Sequence, residues 1–231
     1  ILKLSDKSKL SLSKDVDENI KKAILKEESD SPYLFKQKPY EEIYENKEKF
    51  KFLEHAIKFR KEIKFRYTNL DKINYFTLKP YKIVFLSENF YLASEIELKR
   101  NGVNVTMSRI AMIDELSTTG NSFYHNPDIM NFIHYVQSPW GTYKPNFKEH
   151  LKEVVIEVPK EQAKYFKLKK FFPSQKILRE DKNGTIQISY TVTSENEVVG
   201  LIKQWIPYVK VISPQSLINL FEKVARDFYG A

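Results

Sequence analysis

The stretch Asn89-Phe90-Tyr91-Leu92-Ala93 is the most informative part of this 231-residue sequence. Aromatic and aliphatic residues dominate it, and such residues favour β-strands. A preceding strand is predicted over residues 74–86, and the tight turn Ser87-Glu88-Asn89 joins the two strands into a hairpin. A further strand of alternating apolar and polar residues ends at Ser108-Arg109-Ile110. This region is therefore predicted to form a small antiparallel sheet.

The flanking residues extend this sheet on both sides. A helix is predicted from Lys47 to near Lys61, and the strand after it places the basic residues Lys64 and Arg66 on one face. Beyond Arg109 the apolar residues continue with a shifted phase, which predicts a bulge or a short helical turn before the last strand. A helix followed by about five short antiparallel strands predicts a small closed barrel of the SH3 or Sm type.

The last third of the sequence predicts a second unit. A helix begins at Asn126-Pro127 and extends to about Gln137, before a break at Ser138-Pro139-Trp140-Gly141. From residue 151 the pattern is strand, helix, two strands around Asn183-Gly184, helix, strand and helix. This βαββαβα order matches a ferredoxin-like sandwich with an extra terminal helix.

The fold class predicted from these patterns is α+β, in four segments. Residues 1–46 are predicted to be a helical and irregular linker from an upstream domain. The barrel is assigned to residues 47–120, and a connector with one helix is assigned to residues 121–150. Residues 151–231 form the ferredoxin-like unit in this prediction.

Composition excludes several classes of protein. The absence of cysteine rules out disulfides, thiolate zinc sites and cysteine nucleophiles, and it fits the reducing cytoplasm. No apolar run approaches the roughly 20 residues that span a bilayer, and no signal peptide is visible. We therefore expect a cytoplasmic protein with no membrane partner. Because the first residue is Ile1, we also expect further sequence upstream.

No pattern typical of an enzyme is present. The four histidines lack metal-ligand spacing, and there is neither a phosphate-binding glycine loop nor a Gly-x-Ser-x-Gly elbow. No pair of carboxylates sits in apolar sequence, where a raised pKa would be expected. The sequence thus predicts no catalytic residue, no metal and no cofactor.

Charge points to a polyanion as one candidate partner. The net charge is +8, and residues 47–116 carry fourteen Lys or Arg against nine acids. A basic module attracts nucleic acid by neutralising phosphates and releasing counterions. A lysine-rich surface that is simply solvated explains the same charge equally well.

Several residues in order resemble the WYL domain of bacterial transcriptional regulators. Pro80-Tyr81 is similar to the family's proline strand, and Phe90-Tyr91-Leu92 is similar to the triplet that names it, with Phe in place of Trp. Arg109-Ile110 resembles the end of the family's arginine segment, in which Thr106 and Ser108 here replace a usual arginine and acid. Trp205 and the run over residues 209–214 resemble the end of the family's C-terminal extension domain.

The resemblance implies a function for the chain. Such regulators typically carry an upstream winged helix and act as homodimers, and their barrel senses single-stranded nucleic acid or a nucleotide and alters operator binding. Residues 1–46 do not resemble a helix-turn-helix, so contact with operator DNA is expected outside this chain. The alternative is a protein-interaction accessory module that regulates a nuclease or phage-defence complex.

Seven residues are candidates for the ligand site. Arg109 ranks first because its planar guanidinium suits phosphate, although it could instead tie the barrel to its own backbone or to Asp114. Two aromatic rings are candidates for base stacking or for core packing, and four cations are candidates for phosphate contacts or for solvated charge. These six residues are Tyr67, Tyr91, Lys64, Arg66, Lys79 and Lys82.

Overall fold

The computed structural model describes residues 47–69, 72–98 and 102–230, which belong to one compact unit. The linker predicted over residues 1–46 lies outside the described residues. The architecture is α+β, as predicted, with two antiparallel sheets and five helices of nine residues or more among the described residues.

The first sheet follows helix α1, which spans Lys47–Lys58. Its strands are β1 Lys61–Asn69, β2 Lys72–Leu86, β3 Asn89–Leu98, β4 Gly102–Arg109 and β5 Ile113–Ser122. They lie in the order β4-β3-β2-β1-β5, and every neighbouring pair is antiparallel. A 3₁₀ turn at Ile110–Met112 joins β4 to β5, which confirms the short helical turn predicted after Arg109.

This sheet does not close into the barrel that the sequence predicted. Strands β4 and β5 are its two edges and are not hydrogen-bonded neighbours. The sheet bends at β2, which is 15 residues long and pairs with β1 through its first half and with β3 through its second. A bulge lies between Pro80 and Lys82, just after the partner changes from β1 to β3, and such bulges increase the bend and twist of a strand.

Strand β3 is buried on both faces because the sheet separates two hydrophobic clusters. Leu92 belongs to the cluster beneath α1, and its neighbour Ala93 belongs to the cluster on the opposite face. The second cluster is completed by helix α2, Pro127–Tyr135, which Asn126 caps by accepting the backbone N–H of Asp128 at 2.9 Å. Burial on both faces explains the run of aromatic and apolar residues from Phe90 to Ala93.

The second sheet follows a 3₁₀ turn at Phe147–His150. Its elements are β6 Lys152–Val158, α3 Lys160–Leu168, β7 Lys176–Glu180, β8 Ile186–Val192, α4 Asn196–Gln204, β9 Lys210–Ser213 and α5 Gln215–Tyr229. The element order is the βαββαβα order that was predicted, and the antiparallel strands lie in the order β7-β8-β6-β9. Val154, Ile156 and Val158 of the central strand β6 are fully buried in its core.

One buried carboxylate joins the connector after α2 to the second sheet. The Oε2 atom of Glu197 accepts the backbone N–H groups of Gln137 at 2.8 Å and Ser138 at 3.2 Å. Its Oε1 atom accepts the N–H and hydroxyl groups of Thr193 at 2.8 and 2.7 Å, and the N–H of Ser194 at 3.3 Å. Five donors thus satisfy a side chain that is 2% exposed.

Candidate nucleic-acid interface

Arg109 and Tyr91 form a cross-strand pair near the hairpin end of the first sheet. They occupy directly opposed positions on β4 and β3, so both project from the same face. The Arg109 Nη2 atom donates a hydrogen bond of 2.5 Å to Asn89 Oδ1. Asn89 is itself fixed, because its Nδ2 atom donates to the carbonyl of Ser87 in the turn at 2.6 Å. The turn therefore positions a neutral amide that orients the guanidinium.

Tyr67 supports this pair from within the core rather than through an exposed ring. Its ring packs against Phe65 and Phe76, with centroid distances of 6.4 and 6.2 Å. Its hydroxyl accepts the backbone N–H of Arg109 at 3.4 Å and contacts the Met112 sulfur at 3.3 Å. The geometry favours core packing for Tyr67, and it assigns this residue to positioning the Arg109 backbone.

The strand β1 cations lie elsewhere in the sheet. Lys64 is exposed opposite Thr77, with β2 and β3 between its strand and β4. Arg66 forms ion pairs with Glu115 at 3.3 Å and with Asp114 at 3.8 Å. Asp114, the acid that the sequence suggested for Arg109, is thus shared by Arg66 and by Lys49 at 3.9 Å. The charge of Arg66 is offset locally, which weakens its attraction for a phosphate.

Lys79 and Lys82 also differ in their surroundings, because Lys79 is paired with two carboxylates and Lys82 is exposed. Lys79 donates to Glu95 and to Glu97, both at 2.8 Å. Partial burial opposes its protonation, but the hydrogen bonds to Glu95 and Glu97 raise the pKa of Lys79 well above its usual range. Lys82 is exposed and lies opposite Ala93 of β3. Ala93 is two residues from Tyr91 along that strand, a separation of about 7 Å. Of the two lysines, Lys82 is the closer in register to the Arg109 pair.

The structure therefore brings together Arg109, Tyr91 and, through its hydroxyl, Tyr67, with Lys82 nearby. Asn89 was missed by the sequence analysis, which assigned it to the turn alone. A usable signal existed, because residues 89 and 91 have the same strand parity and share a face. This signal identifies a contact with Arg109 only when the register between β3 and β4 is also known.

A buried polar network lies farther along the same strands. The Tyr81 hydroxyl donates to Glu95 Oε2 at 2.6 Å and accepts the backbone N–H of Asn126 at 2.9 Å. Burial and the bond to Glu95 raise the pKa of Tyr81 to about 12, although the bond from Asn126 opposes this. The ring of Tyr81 stacks on His125, with centroids 4.6 Å apart. This network connects β2 and β3 to the start of α2.

His125 predicts a pH dependence of stability. Burial lowers its pKa, the charges of Arg60 and Lys82 lower it further, and Glu95 partly opposes them. Its Nε2 atom is buried and has no hydrogen-bond partner among the described residues. Since the unfolded chain then binds more protons than the folded one, stability is complete above the ordinary histidine pKa of about 6.5 and falls as pH drops below it. Urea titrations between pH 8 and 5 should show this loss, and His125→Gln should reduce it.

The described part of the chain shows neither a metal-ligand group nor a membrane-spanning helix. Among the described residues, no group of three or more His, Asp or Glu side chains is placed to hold a metal ion. Within these residues, no helix combines the length and the apolar character needed to cross a bilayer.

Comparison with known proteins gives a family match for the last third of the chain. The model of the WCX domain matches residues 150–229. Proteasome accessory factor B/C (PafBC) of Arthrobacter aurescens is similar at 14% identity, over 78% of this chain and 26% of that one, with a TM-score of 0.33. A CRISPR Cas-related protein is similar at 12% identity, over 78% of this chain and 50% of that one, with a TM-score of 0.51. No curated protein matches the sequence significantly.

Residues 150–229 match the WCX domain, the C-terminal extension associated with WYL domains, which agrees with the resemblance of this end of the sequence to that extension. The likeness to the CRISPR Cas-related protein shows a shared fold. This chain spans half or less of the length of both solved structures.

Proposed function

We propose that this chain is the ligand-sensing part of a WYL-type transcriptional regulator. Single-stranded nucleic acid or a nucleotide binds at the Arg109 face of the first sheet and alters operator binding by a domain outside this chain. In this proposal the first sheet is an open relative of an SH3 or Sm barrel, and the second unit is ferredoxin-like. The protein has no catalytic role, needs no cofactor and works in the bacterial cytoplasm.

The observation that carries this proposal is the pairing of Arg109 with Tyr91 on one sheet face. A guanidinium forms bidentate, charge-assisted hydrogen bonds with phosphate oxygens. A neighbouring aromatic ring stacks on a base, which contributes roughly 1–3 kcal/mol per base without sequence preference. The contact from Asn89 fixes the guanidinium without bringing a charge of its own. In this proposal one side chain binds the phosphate and its neighbour stacks on the base.

Fluorescence anisotropy with labelled single-stranded oligonucleotides tests this proposal. Arg109→Ala should weaken binding about tenfold or more, since a hydrogen bond to a charged group contributes about 1.5–3 kcal/mol. Arg109→Lys should fall between the two, because it keeps the charge and loses the planar fork. Arg179→Ala is a matched control, since Arg179 is an exposed arginine of β7 in the other sheet. Wild-type protein that binds no oligonucleotide, or binding that Arg109→Ala leaves unchanged, would contradict the proposal.

A homodimer is part of the same proposal. Helix α5 packs Leu217 and Phe221 against the core of the second sheet, while Leu220 between them on the same stripe remains exposed. Leu220 thus extends the apolar stripe of the helix toward solvent. Light scattering during gel filtration should therefore give twice the monomer mass of 27.4 kDa.

A protein-interaction accessory module is the second candidate. It is favoured by the exposed edge strand β7, where Ile177 and Leu178 are exposed beside Leu168 of α3. A protein partner could add a strand to such an edge. A nuclease or phage-defence complex would then be regulated without nucleic acid binding by this chain. A stable heterologous protein that co-purifies, together with a negative oligonucleotide titration, would favour this function over the first.

A further inference from the structure

A small cavity separates the connector after α2 from the second sheet, on a different part of the molecule from Arg109. Its volume is about 130 Å³. The connector contributes Thr142, Lys144, Phe147 and His150 to its lining. Lys152 at the start of β6, and Thr193 and Ser194 just after β8, complete it. Two ammonium groups, an imidazole and three hydroxyls thus belong to the lining residues, and all six side chains can donate hydrogen bonds.

The two lysines that line this cavity, Lys144 and Lys152, differ in their partners. Neither Lys144 nor His150 forms an ion pair or a hydrogen bond through its side chain within the described part of the chain. Lys152 donates to Glu195 Oε1 at 2.6 Å, and Ser216 donates to the other oxygen of that carboxylate at 2.6 Å. Lys152 retains further donors, because an ammonium group has three.

A second carboxylate near the cavity, that of Glu197, has its hydrogen-bonding capacity taken up by other contacts. Glu197 lies behind the lining residue Thr193, whose hydroxyl it binds at 2.7 Å. Its two oxygens are occupied by the five donors described above, and the side chain is buried. The Thr193 hydroxyl also accepts the backbone N–H of Thr142 at 3.2 Å, so the two sides of the cavity are already joined at its base.

We propose that this cavity binds one phosphate group, as the free anion or as the monoester of a phosphorylated small molecule. The volume is well above the about 10–15 Å³ that one water needs, and below the about 300 Å³ at which sites for whole drug-sized ligands begin. A phosphate therefore fits inside, and any group esterified to it remains outside.

Isothermal titration calorimetry with inorganic phosphate tests this site on the whole chain. Lys144→Gln should weaken phosphate binding about tenfold, since it removes one charged donor and breaks no described contact. Lys148→Gln is the matched control, because Lys148 is exposed on the same 3₁₀ turn as His150 and does not line the cavity. Absence of saturable heat with wild-type protein, or equal losses in both variants, would overturn the proposal.

A second titration identifies the source of the phosphate. A sugar phosphate that binds more tightly than inorganic phosphate supports a monoester ligand, and equal or weaker binding supports the free anion. Neither probe carries a base, and Lys144 lies outside the Arg109 face, so loss of binding in Lys144→Gln tests this site separately from the oligonucleotide titration. Lys152→Gln should weaken binding as well, and it provides a second variant if Lys144→Gln does not fold.

Discussion

Replacing Glu197 with alanine is expected to lower the free energy of unfolding by about 3–5 kcal/mol, because five donors would lose one shared, buried acceptor. The loss of stability would arise because the donors are left without an acceptor, and not from the removal of the carboxylate itself. Backbone N–H groups of Gln137, Ser138, Thr193 and Ser194 would lose their acceptor, and each buried donor left unsatisfied costs about 1–3 kcal/mol. Partial relaxation and access of water keep the total below the sum.

The matched control for this variant is Glu161→Ala. Glu161 is the second residue of α3, as Glu197 is the second residue of α4, so both carboxylates interact with a helix N-terminus in the same way. Glu161 is exposed, and its replacement should cost less than about 1 kcal/mol. Urea denaturation of both variants measures the difference. Similar losses for the two would show that the five hydrogen bonds contribute little beyond the helix dipole.

Replacing Glu95 with alanine is the second large effect, a loss of about 2–4 kcal/mol expected from the buried donors that it leaves behind. The Tyr81 hydroxyl would lose its acceptor inside the second cluster, where Tyr81 is fully buried. Lys79 would lose one of its two carboxylates in a half-buried position. Because Tyr81 also holds the backbone N–H of Asn126, the start of α2 should loosen with it.

Glu97→Ala distinguishes burial from charge in this network. Glu97 pairs with Lys79 at 2.8 Å, the same distance as Glu95, yet its side chain is 73% exposed. Solvent screens an exposed ion pair strongly, so this variant should be nearly neutral. A chemical denaturation series on the two variants supplies the comparison. Equal effects would mean that the Lys79 charge, and not the buried Tyr81 hydroxyl, dominates the cluster.

Local patterns in the sequence predicted most of the elements. Alternation over residues 61–98 and the Asn183-Gly184 turn led to strands that the structure contains, and the phase shift after Arg109 led to the turn at Ile110–Met112. These features depend on neighbours within a few residues. Closure of the barrel depends on whether β4 and β5 meet, which no local pattern records, and this part of the prediction was not confirmed.

The candidate site shows the same limit. Arg109 and Tyr91 were identified from a resemblance, and the structure pairs them. The ion pairs that offset Arg66 and Lys79 join residues from different strands, so a count of charges along the chain could not reveal them. For Glu197 a local signal was present, because Ser194 and Glu197 have the spacing of a capping box. Its hydrogen bonds to Gln137 and Ser138 join residues 60 and 59 positions apart, so no local sequence pattern could predict them.

Because β3 is buried on both faces, few movements of this strand could transmit ligand binding from the Arg109 face to the rest of the molecule. Leu92 and Ala93 are adjacent, fully buried and committed to opposite clusters. Sliding the strand by one residue would exchange their surroundings and carry Glu95 into the apolar cluster beneath α1. We therefore expect transmission by tilting of the whole sheet against its two helices. Amide hydrogen exchange should be slowest in β3, with or without an oligonucleotide bound.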